Sequence, residues 1–232
     1  MSYQQGNLLL EQLPSQDLQR LLPYLQLVSL PKDQVVYEQD AVVDYFYFPL
    51  TAVVSFAVQL PDGVDTHVAL ADASGMFPLS VVVDSHCLLK VQVRLPGLAY
   101  RLPVDVLRRE FSECQAFAKL IMKAVRNLLG QLSLGSACFR RHSTQQILAK
   151  VLLVALQHRA EPEIDITHSQ IADIVGVRRE AVTLTLNQLE QRGVVECLRG
   201  KIRLSDKARL EELACTCYRA RRHFNMFQRL LV

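Results

Sequence analysis

The spacing of apolar positions changes twice along the chain and predicts three kinds of segment. Leucines recur at roughly helical spacing over residues 8–27, with a break at Pro14 and a new helix start at Ser15. From about Val28 the period changes to short β-branched or aromatic runs, separated by turn signals such as Pro61-Asp62-Gly63. From Val104 the pattern is helical again.

The middle segment is predicted to form several short antiparallel strands. Their close spacing is typical of a small barrel or sandwich. The predicted strands are Val35–Tyr37, Tyr45–Phe48, Ala52–Leu60, Asp65–Ala71, Leu88–Leu95 and Leu98–Leu102.

Residues Thr167–Leu189 carry the pattern of two short helices joined by a tight turn. Thr167 is placed to cap the first helix, and Ala172 lies where the two helices must approach closely. Gly176 can adopt the positive φ that the turn requires. The apolar residues spaced to close a small core beneath both helices are Ile171, Val175, Val177, Val182 and Leu186.

The second helix of this pair, predicted over residues 178–191, has the features of a DNA recognition helix. Arg178, Arg179 and Glu180 occupy its exposed first turn, which is the part that enters the major groove. Arg179 is suited to a bidentate contact with guanine, and Glu180 to the amino group of cytosine. Arg178 is expected at a base or a phosphate, and Thr183 at a base or a thymine methyl group.

A short β-hairpin with a basic tip follows the second helix. Gly193–Leu198 and Ile202–Leu204 flank the tip Arg199-Gly200-Lys201, which is expected to reach phosphates beside the groove. The residues predicted to contact DNA are Thr167, His168, Ser169, Arg178, Arg179, Glu180, Thr183, Arg199 and Lys201.

Charge is distributed unevenly along the 232 residues. Residues 1–137 carry 10 Lys and Arg against 13 Asp and Glu, whereas residues 138–232 carry 16 against 10. The net charges of −3 and +6 place the positive charge in the half that holds the two-helix pattern, as phosphate binding requires.

A long apolar stripe without proline follows the predicted strands. One interpretation is a buried helix of a single domain, and the other is a coiled-coil-like dimer seam. We favour the seam, because a DNA-binding module of this kind usually addresses two half-sites as a dimer. Residues 135–142 are interpreted as a hinge, and Ser143 as the start of another helix. The residues predicted for the seam are Phe117, Leu120, Ile121, Ala124, Leu128 and Leu132.

With its β-rich module, long helix and winged two-helix motif, the chain resembles the CRP/FNR family of bacterial transcription regulators. The residues that carry the resemblance are Thr167-His-Ser-Gln-Ile-Ala-Asp-Ile-Val-Gly-Val-Arg-Arg-Glu-Ala-Val and Arg199-Gly-Lys-Ile, and the likeness extends over residues 8–218. It implies an α+β fold with an antiparallel β-roll or jelly-roll sensor domain (residues 1–103), a long dimerisation helix (104–138) and a C-terminal winged helix-turn-helix domain (139–232).

The resemblance further implies a homodimer that binds a palindromic operator in double-stranded DNA and acts with RNA polymerase. The recognition helix departs from the family pattern Arg-Glu-x-x-x-Arg, since its last position holds Leu184. We therefore expect an altered operator, in which an apolar contact replaces one polar contact to a base.

The sensor segment departs from the cyclic-nucleotide pattern of this family, in which a Gly-Glu pair meets the ribose and a following Arg pairs the phosphate. The candidate ligand-binding positions here are Gly75, Met76, Leu88 and Leu89, so neither charged group stands at its usual position. The alternative is that Lys90 or His86 supplies the missing cation. A buried phosphate without a cation costs several kcal/mol. We expect no cAMP binding of the usual kind and no cofactor, and either a filled pocket or one for a less anionic effector.

The six cysteines are scattered and form no Cys-x-x-Cys pair. Cys215 and Cys217 are predicted to lie in or near the last helix, where side chains two positions apart point about 200° from each other, so they are not expected to share a metal unless the helix breaks. The histidines show no metal-ligand spacing, so no metal site is predicted. Buried thiols are expected, and Cys114 and Cys138 are the better-placed candidates for redox sensing.

No catalytic motif is visible, so the chain is not expected to be an enzyme. No apolar run is long enough to span a bilayer and no signal-peptide pattern occurs, so we expect a cytoplasmic protein without a membrane partner.

The alternative to a DNA-binding regulator is a winged-helix adaptor that binds a protein or a small molecule and has no specific affinity for DNA. The salt dependence of DNA binding separates the two hypotheses.

Overall fold

The computed structural model of the chain describes residues 6–61, 63, 65–156 and 161–218. The chain divides into two units, one of residues 1–64 with 68–129 and the other of residues 65–67 with 130–232. None of the helices in the described ranges combines the length and apolar character needed to cross a membrane.

The N-terminal unit opens with a helix that is shorter than the sequence pattern predicted. Helix α1 spans Ser15–Leu21 and begins directly after Pro14, as expected. Single 3₁₀ turns lie on either side of it, and the second contains Pro23. At Leu25 the backbone is extended, and strand β1 follows over Gln26–Leu30. Helix prediction to residue 27 was therefore wrong, because Pro23 cannot donate the next helical hydrogen bond.

The strands described in the first half of the chain form two antiparallel sheets. The strands after β1 are β2 (Val35–Tyr37), β3 (Tyr45–Pro49), β4 (Val53–Gln59), β5 (Asp65–Ala71), β6 (Lys90–Leu95) and β7 (Gly97–Pro103). One sheet has the order β1-β7-β3 and the other β2-β6-β4-β5. In the first sheet, Phe46 pairs with Leu102 and Phe48 with Tyr100. The predicted strands and the antiparallel β-rich module are confirmed.

Aromatic side chains pair with one another inside the core of this unit. The rings of Phe46 and Phe48 meet edge to face with centroids 5.3 Å apart, and Tyr47 stacks on Phe77 at 5.1 Å. Such pairs add to the burial of their area. Fully buried members of this core include Phe46, Phe48, Phe77, Leu9, Leu10, Leu102, Leu107, Phe117 and Ile121.

Two helices, rather than one, follow the strands. Helix α2 spans Val104–Glu113, and Cys114 then leaves the helical conformation with φ −112° and ψ 105°. Helix α3 extends from Gln115 to Arg141. The prediction of a single helix from residue 104 was therefore wrong. The hinge expected at residues 135–142 is also corrected, since α3 remains helical to Arg141.

The two faces of α3 have different surroundings. In the seam predicted from sequence, Phe117, Leu120, Ile121 and Ala124 are buried in the same core as the strands, and Leu128 packs against that core. Their apolar character is therefore explained within the chain, and the predicted seam is corrected for these residues. A separate set along α3 remains exposed to solvent, with exposed fractions of 57% for Met122, 60% for Leu129 and 46% for Phe139.

The C-terminal unit consists of helices around a small three-stranded sheet. A helix starts after Ser143, close to the predicted start, and the Ser143 hydroxyl accepts from the Gln146 N–H at 3.3 Å. The strand order is β8-β10-β9. The elements are α4 (Thr144–Leu156), β8 (Glu163–Ile164), α5 (His168–Val175), α6 (Arg179–Gln191), β9 (Val195–Leu198), β10 (Lys201–Leu204) and α7 (Lys207–Leu213).

The burial of α3 in the N-terminal core predicts the effect of two apolar truncations. Ile121→Ala is expected to lower the free energy of unfolding by about 2–5 kcal/mol, because it leaves a cavity in a fully buried position. Val83→Ala, at a side chain that is 91% exposed, is expected to change it by about 0.5 kcal/mol or less. Urea unfolding monitored by circular dichroism measures both. Equal losses from the two substitutions would contradict the burial of Ile121.

Candidate nucleic-acid interface

Helix α5 begins with a reciprocal cap. The Gln170 N–H donates to Thr167 Oγ1 at 3.2 Å, and the Thr167 N–H donates to Gln170 Oε1 at 3.0 Å. This capping box satisfies two backbone groups that would otherwise lack helical partners. The cap predicted at Thr167 is confirmed, and it places Thr167 and Ser169 at the exposed start of α5.

The turn between α5 and α6 depends on Gly176. Its φ of +70° and ψ of 35° lie in the left-handed region that favours glycine. The N–H groups of Gly176 and Val177 both donate to the Ala172 carbonyl, at 2.8 and 3.1 Å. The chain therefore passes from α5 to α6 within three residues, and the predicted tight turn is confirmed.

Helix α6 presents a charged first turn on its outer side. It begins at Arg179, one residue later than predicted, because Arg178 occupies the N-cap position with extended backbone. Arg178, Arg179 and Glu180 are all exposed. Further along the helix, an open depression of ≈ 420 Å³ is lined by Arg179, Glu180, Thr183, Leu184 and Asn187. Leu184 is 62% exposed and lies on the same outer side of the helix as the charged first turn.

The inner face of α6 holds it against its unit. Val182, Leu186 and Leu189 are fully buried, and the hydroxyl of buried Thr185 donates to the Ala181 carbonyl at 2.7 Å. Because the polar group of Thr185 is satisfied along its own helix, this face adds no buried polar cost. The charged turn is therefore carried on a firmly packed helix.

His168 and Thr183, both predicted to contact DNA, also contact each other. His168 Nδ1 lies 3.0 Å from Thr183 Oγ1, and the Thr183 hydroxyl donates to the Arg179 carbonyl at 3.1 Å. The pair therefore joins the first turn of α5 to α6, next to the turn that carries Arg179.

The hairpin formed by β9 and β10 has the expected basic tip. Leu198 pairs with Lys201 across the turn, and Gly200 has a φ of +74°. Arg199 is exposed at the tip. Lys201 is also exposed, but its ammonium lies 3.3 Å from Asp165 and 3.9 Å from Glu163. At the tip, the side chain of Arg199 is exposed, whereas the ammonium of Lys201 is shared with two carboxylates.

Arg203, further along β10, is held by two carboxylates. Its guanidinium contacts Glu163 at 2.7 Å and Glu196 at 2.6 Å. The hydrogen bond to Glu163, followed by the charge of Glu196, raises the pKa of the Arg203 guanidinium. This cluster ties the three strands of the small sheet together below the basic tip.

In the N-terminal unit, the segment around Gly75 has its polar backbone groups engaged within the chain. The Gly75 carbonyl accepts from Asn7 Nδ2 at 3.0 Å, and the Gly75 N–H donates to the Asp72 carbonyl at 2.8 Å. Phe77 exchanges two backbone hydrogen bonds with Tyr47. Met76 and Phe77 are 2% and 0% exposed. This segment is therefore a packed wall of the core.

The other two candidate ligand-binding positions do not share one environment. Leu88 is 68% exposed, whereas Leu89 is partly buried against the core. Sequence analysis missed the buried cation of this unit, Arg94, which is 6% exposed and donates from Nε to Ser55 Oγ at 2.9 Å. Arg94 lies on β6, where polar and apolar residues alternate. An arginine that faces solvent has the same sequence pattern, so the burial of Arg94 could not be predicted from it.

Sequence analysis also missed a cluster of thiols and an imidazole in the C-terminal unit. The ligand atoms of Cys138, His142, Cys215 and Cys217 all lie within 4.8 Å of one another. The expectation that Cys215 and Cys217 point apart on one helix was wrong, because α7 ends at Leu213 and Cys215 lies outside it. Burial raises the pKa of the Cys215 thiol to about 12, and the adjacent Cys138 acts in the same direction.

Comparison with known proteins identifies the domain that carries this interface. Residues 144–213 match the family model of the Crp-like helix-turn-helix domain. That range holds α5, α6 and both strands of the basic hairpin. No curated protein matches the chain by sequence.

Solved structures share the fold over most of the chain. FixK2 from Bradyrhizobium japonicum is 19% identical with a TM-score of 0.72, and 83% of this chain covers 98% of that one. A CRP-family transcriptional regulator from Thermus thermophilus is 16% identical with a TM-score of 0.68, and the match covers 81% of this chain and 96% of that one. The c-di-GMP responsive global regulator CLP from Xanthomonas campestris is 12% identical with a TM-score of 0.65, and the match covers 83% of this chain and 100% of that one.

The chain therefore carries a Crp-like helix-turn-helix domain and has the fold of CRP/FNR-type regulators. The resemblance stated from its sequence is confirmed in these two respects.

The left-handed turn predicts how substitutions at Gly176 rank. A side chain with a Cβ costs about 1–2 kcal/mol in this conformation, and a β-branched one costs more. Gly176→Val is therefore expected to lower the free energy of unfolding clearly more than Gly176→Asn, because asparagine tolerates the left-handed region. No atom lies within 4 Å of a Cβ added here, so conformation rather than crowding decides. Thermal unfolding of both variants checks the order, and equal losses would contradict it.

Proposed function

We propose that this chain is a homodimeric, sequence-specific DNA-binding transcription regulator, without enzymatic activity, whose helix α6 enters the major groove. One observation carries the proposal: the exposed turn Arg178-Arg179-Glu180 at the start of the second helix of a Crp-like helix-turn-helix domain. Two adjacent arginines at a helix N-terminus oppose the helix dipole, so a purely structural role does not account for them.

Base contacts are assigned to the outer side of α6. Arg179 is placed for a bidentate contact with guanine, and Glu180 for the amino group of cytosine. Leu184, one turn later, is suited to a thymine methyl group, because an exposed apolar side chain gains from an apolar contact. Asn187 lines the same depression and matches the donor and acceptor pair of adenine.

Phosphate contacts are assigned to groups on either side of α6. Arg199 at the hairpin tip is the principal cation, and Ser169 at the exposed start of α5 offers a hydroxyl beside a helix N-terminus. Thr167 contributes less, because its hydroxyl is already bonded to Gln170 in the helix cap. Lys201 contributes less, since its ammonium is already shared with Asp165 and Glu163. His168 is assigned a positioning role through Thr183.

Dimerisation is assigned to the exposed apolar positions of α3. Met122, Val125, Leu129 and Leu132 follow each other at intervals of three and four residues, and Phe139 continues the same series. This is the spacing of a coiled-coil seam. Three of these side chains are 46–60% exposed in the single chain, so a second copy would cover them. A two-fold dimer would place its two recognition helices on half-sites about 34 Å apart.

The N-terminal unit is proposed to act as a sensor that does not bind cAMP in the manner usual for this family. Support comes from the segment at Gly75, whose backbone groups are engaged and whose Met76 and Phe77 are buried. Whatever effector acts must shift the population between dimers that bind DNA and dimers that do not. RNA polymerase is the expected partner at the promoter.

Substitution of Arg179 tests the assignment of the recognition helix. Arg179→Ala is expected to weaken binding to the selected operator by about 1–3 kcal/mol, or about 5- to 150-fold, because a guanine loses a bidentate donor. Lys207→Ala, which removes the same charge from exposed α7, is the matched control and should retain the operator affinity. Fluorescence anisotropy on operator and unrelated duplexes measures the difference. Wild-type affinity in Arg179→Ala would overturn the assignment.

A charge placed on the exposed face of α3 tests the dimer. Leu129→Asp is expected to weaken dimerisation by more than about tenfold, because it removes an apolar contact and buries a carboxylate. Val83→Asp makes the same change at an exposed valine elsewhere and should leave the dimer intact. Sedimentation velocity over a concentration series gives both dissociation constants. A dimer equally stable in Leu129→Asp would place the interface elsewhere.

A further inference from the structure

Cys138 and His142 lie one helical turn apart at the end of α3. The His142 N–H donates to the Cys138 carbonyl at 3.0 Å, so the helical path continues one residue beyond Arg141. Residues at positions i and i+4 of a helix share one face. The thiol of Cys138 and the imidazole of His142 therefore point to the same side.

Cys215 and Cys217 reach the same place from the other end of the unit. After α7 the backbone is extended at Ala214, with φ −72° and ψ 150°, and the Cys215 N–H donates to the Gln146 carbonyl at 3.4 Å. Residues 216–218 are helical again, and the Tyr218 N–H donates back to the Cys215 carbonyl at 2.9 Å. This break in the helix allows both thiols to converge on Cys138 and His142.

The separations within this group match tetrahedral metal coordination. Cys138 Sγ lies 3.5 Å from Cys215 Sγ, and Cys217 Sγ lies 3.8 Å from His142 Nδ1. Zinc bonds of about 2.3 Å to sulfur and 2.0–2.1 Å to nitrogen place two tetrahedral sulfurs about 3.8 Å apart, and a sulfur and a nitrogen about 3.6 Å apart. These two separations are thus within a few tenths of an ångström of the tetrahedral values, and the other pairs of ligand atoms lie within 4.8 Å of each other.

We propose that Cys138, His142, Cys215 and Cys217 bind one Zn²⁺ ion. Three thiolates and one imidazole are a common ligand set of structural zinc sites, in which all four positions belong to the protein. The donor set selects zinc over magnesium and calcium, which take oxygen ligands. Among the residues that the structure describes, this is the one group of three or more candidate ligands.

The surroundings of the group favour a bound cation together with thiolates. A zinc ion with three thiolates carries a net charge of −1. The Lys150 ammonium lies 3.2 Å from Cys138 Sγ and balances that charge. Cys138 and Cys215 are 0% and 2% exposed, and buried charges of this kind persist only when they are paired.

A disulfide explains the group less well than a metal. A bond between Cys138 and Cys215 requires a sulfur separation of about 2.05 Å rather than 3.5 Å. It would also leave the convergence of His142 and Cys217 without a role. An iron–sulfur cluster spreads its terminal ligands over more than one iron. The compactness of this group favours a single ion.

The zinc ion would connect the two segments that flank the Crp-like domain. Its ligands lie on both sides of the Crp-like domain at residues 144–213, two before it and two after it. One ion would therefore join the end of α3 to the segment that follows α7. The inference is independent of the proposed regulatory function, because it concerns metal binding and stability alone.

Metal analysis of the full chain tests the proposal. The chain, expressed with zinc in the medium and purified under reducing conditions, is expected to retain about one zinc per chain by mass spectrometry. Cys215→Ser and Cys217→Ser should each lose it, whereas Cys197→Ser, a cysteine on β9 of the same unit, should keep it. Lys150→Met is expected to weaken zinc affinity about 10- to 100-fold, as loss of a hydrogen-bond partner of a ligand does.

Cobalt gives a readout that does not depend on the variants folding. Wild-type chain stripped of metal and loaded with Co²⁺ should show thiolate-to-cobalt charge transfer and tetrahedral ligand-field bands. A wild-type chain that binds neither Zn²⁺ nor Co²⁺ would overturn the proposal. So would undiminished zinc in folded Cys215→Ser, or a Cys138–Cys215 disulfide in chain that carries no metal.

Discussion

The left-handed turn at Gly176 is the constraint on which the DNA-binding surface depends. It ends α5 and directs the chain into α6 within three residues, with both turn N–H groups on the Ala172 carbonyl. The helices then share one small core, and the His168–Thr183 contact joins them on the outer side. The Thr183 hydroxyl also donates to the Arg179 carbonyl one turn earlier in α6, so this contact adjoins the turn that carries Arg179. A surface that must match a groove needs such a fixed base, because misplaced contacts contribute little.

Helix α3 shows why an apolar stripe alone does not identify its partner. The pattern from Phe117 to Ala124 was attributed to a dimer, yet these residues fill the core of the N-terminal unit. The exposed series through Met122 and Leu129 has the same helical spacing and was hidden within the same stripe. Periodicity indicates which residues require burial, whereas only the tertiary structure shows what buries them. Apolar residues surround much of this helix, and the sequence pattern therefore could not separate the buried face from the exposed one.

Features encoded by local chemistry were predictable from the sequence, and those formed by distant residues were not. The cap at Thr167, the turn at Gly176 and the hairpin tip at Arg199 each depend on neighbours within a few positions, and each was found where expected. The carboxylates that share Lys201 come from another strand and the loop after it. Likewise, the cysteines after α7 meet Cys138 only because the helix breaks at Ala214, which no spacing rule anticipates.

Selection of DNA from a pool of random duplexes tests the central claim most directly. The full chain should be used without ligand, with cAMP and with c-di-GMP, the last because CLP is a c-di-GMP responsive regulator of the same fold. The account predicts an enriched palindrome whose half-sites lie one helical turn apart, with no dependence on cAMP and with affinity that falls steeply as salt rises. Enrichment that requires cAMP would contradict the closed sensor segment. No enrichment under any condition, together with a flat salt dependence, would contradict DNA binding itself.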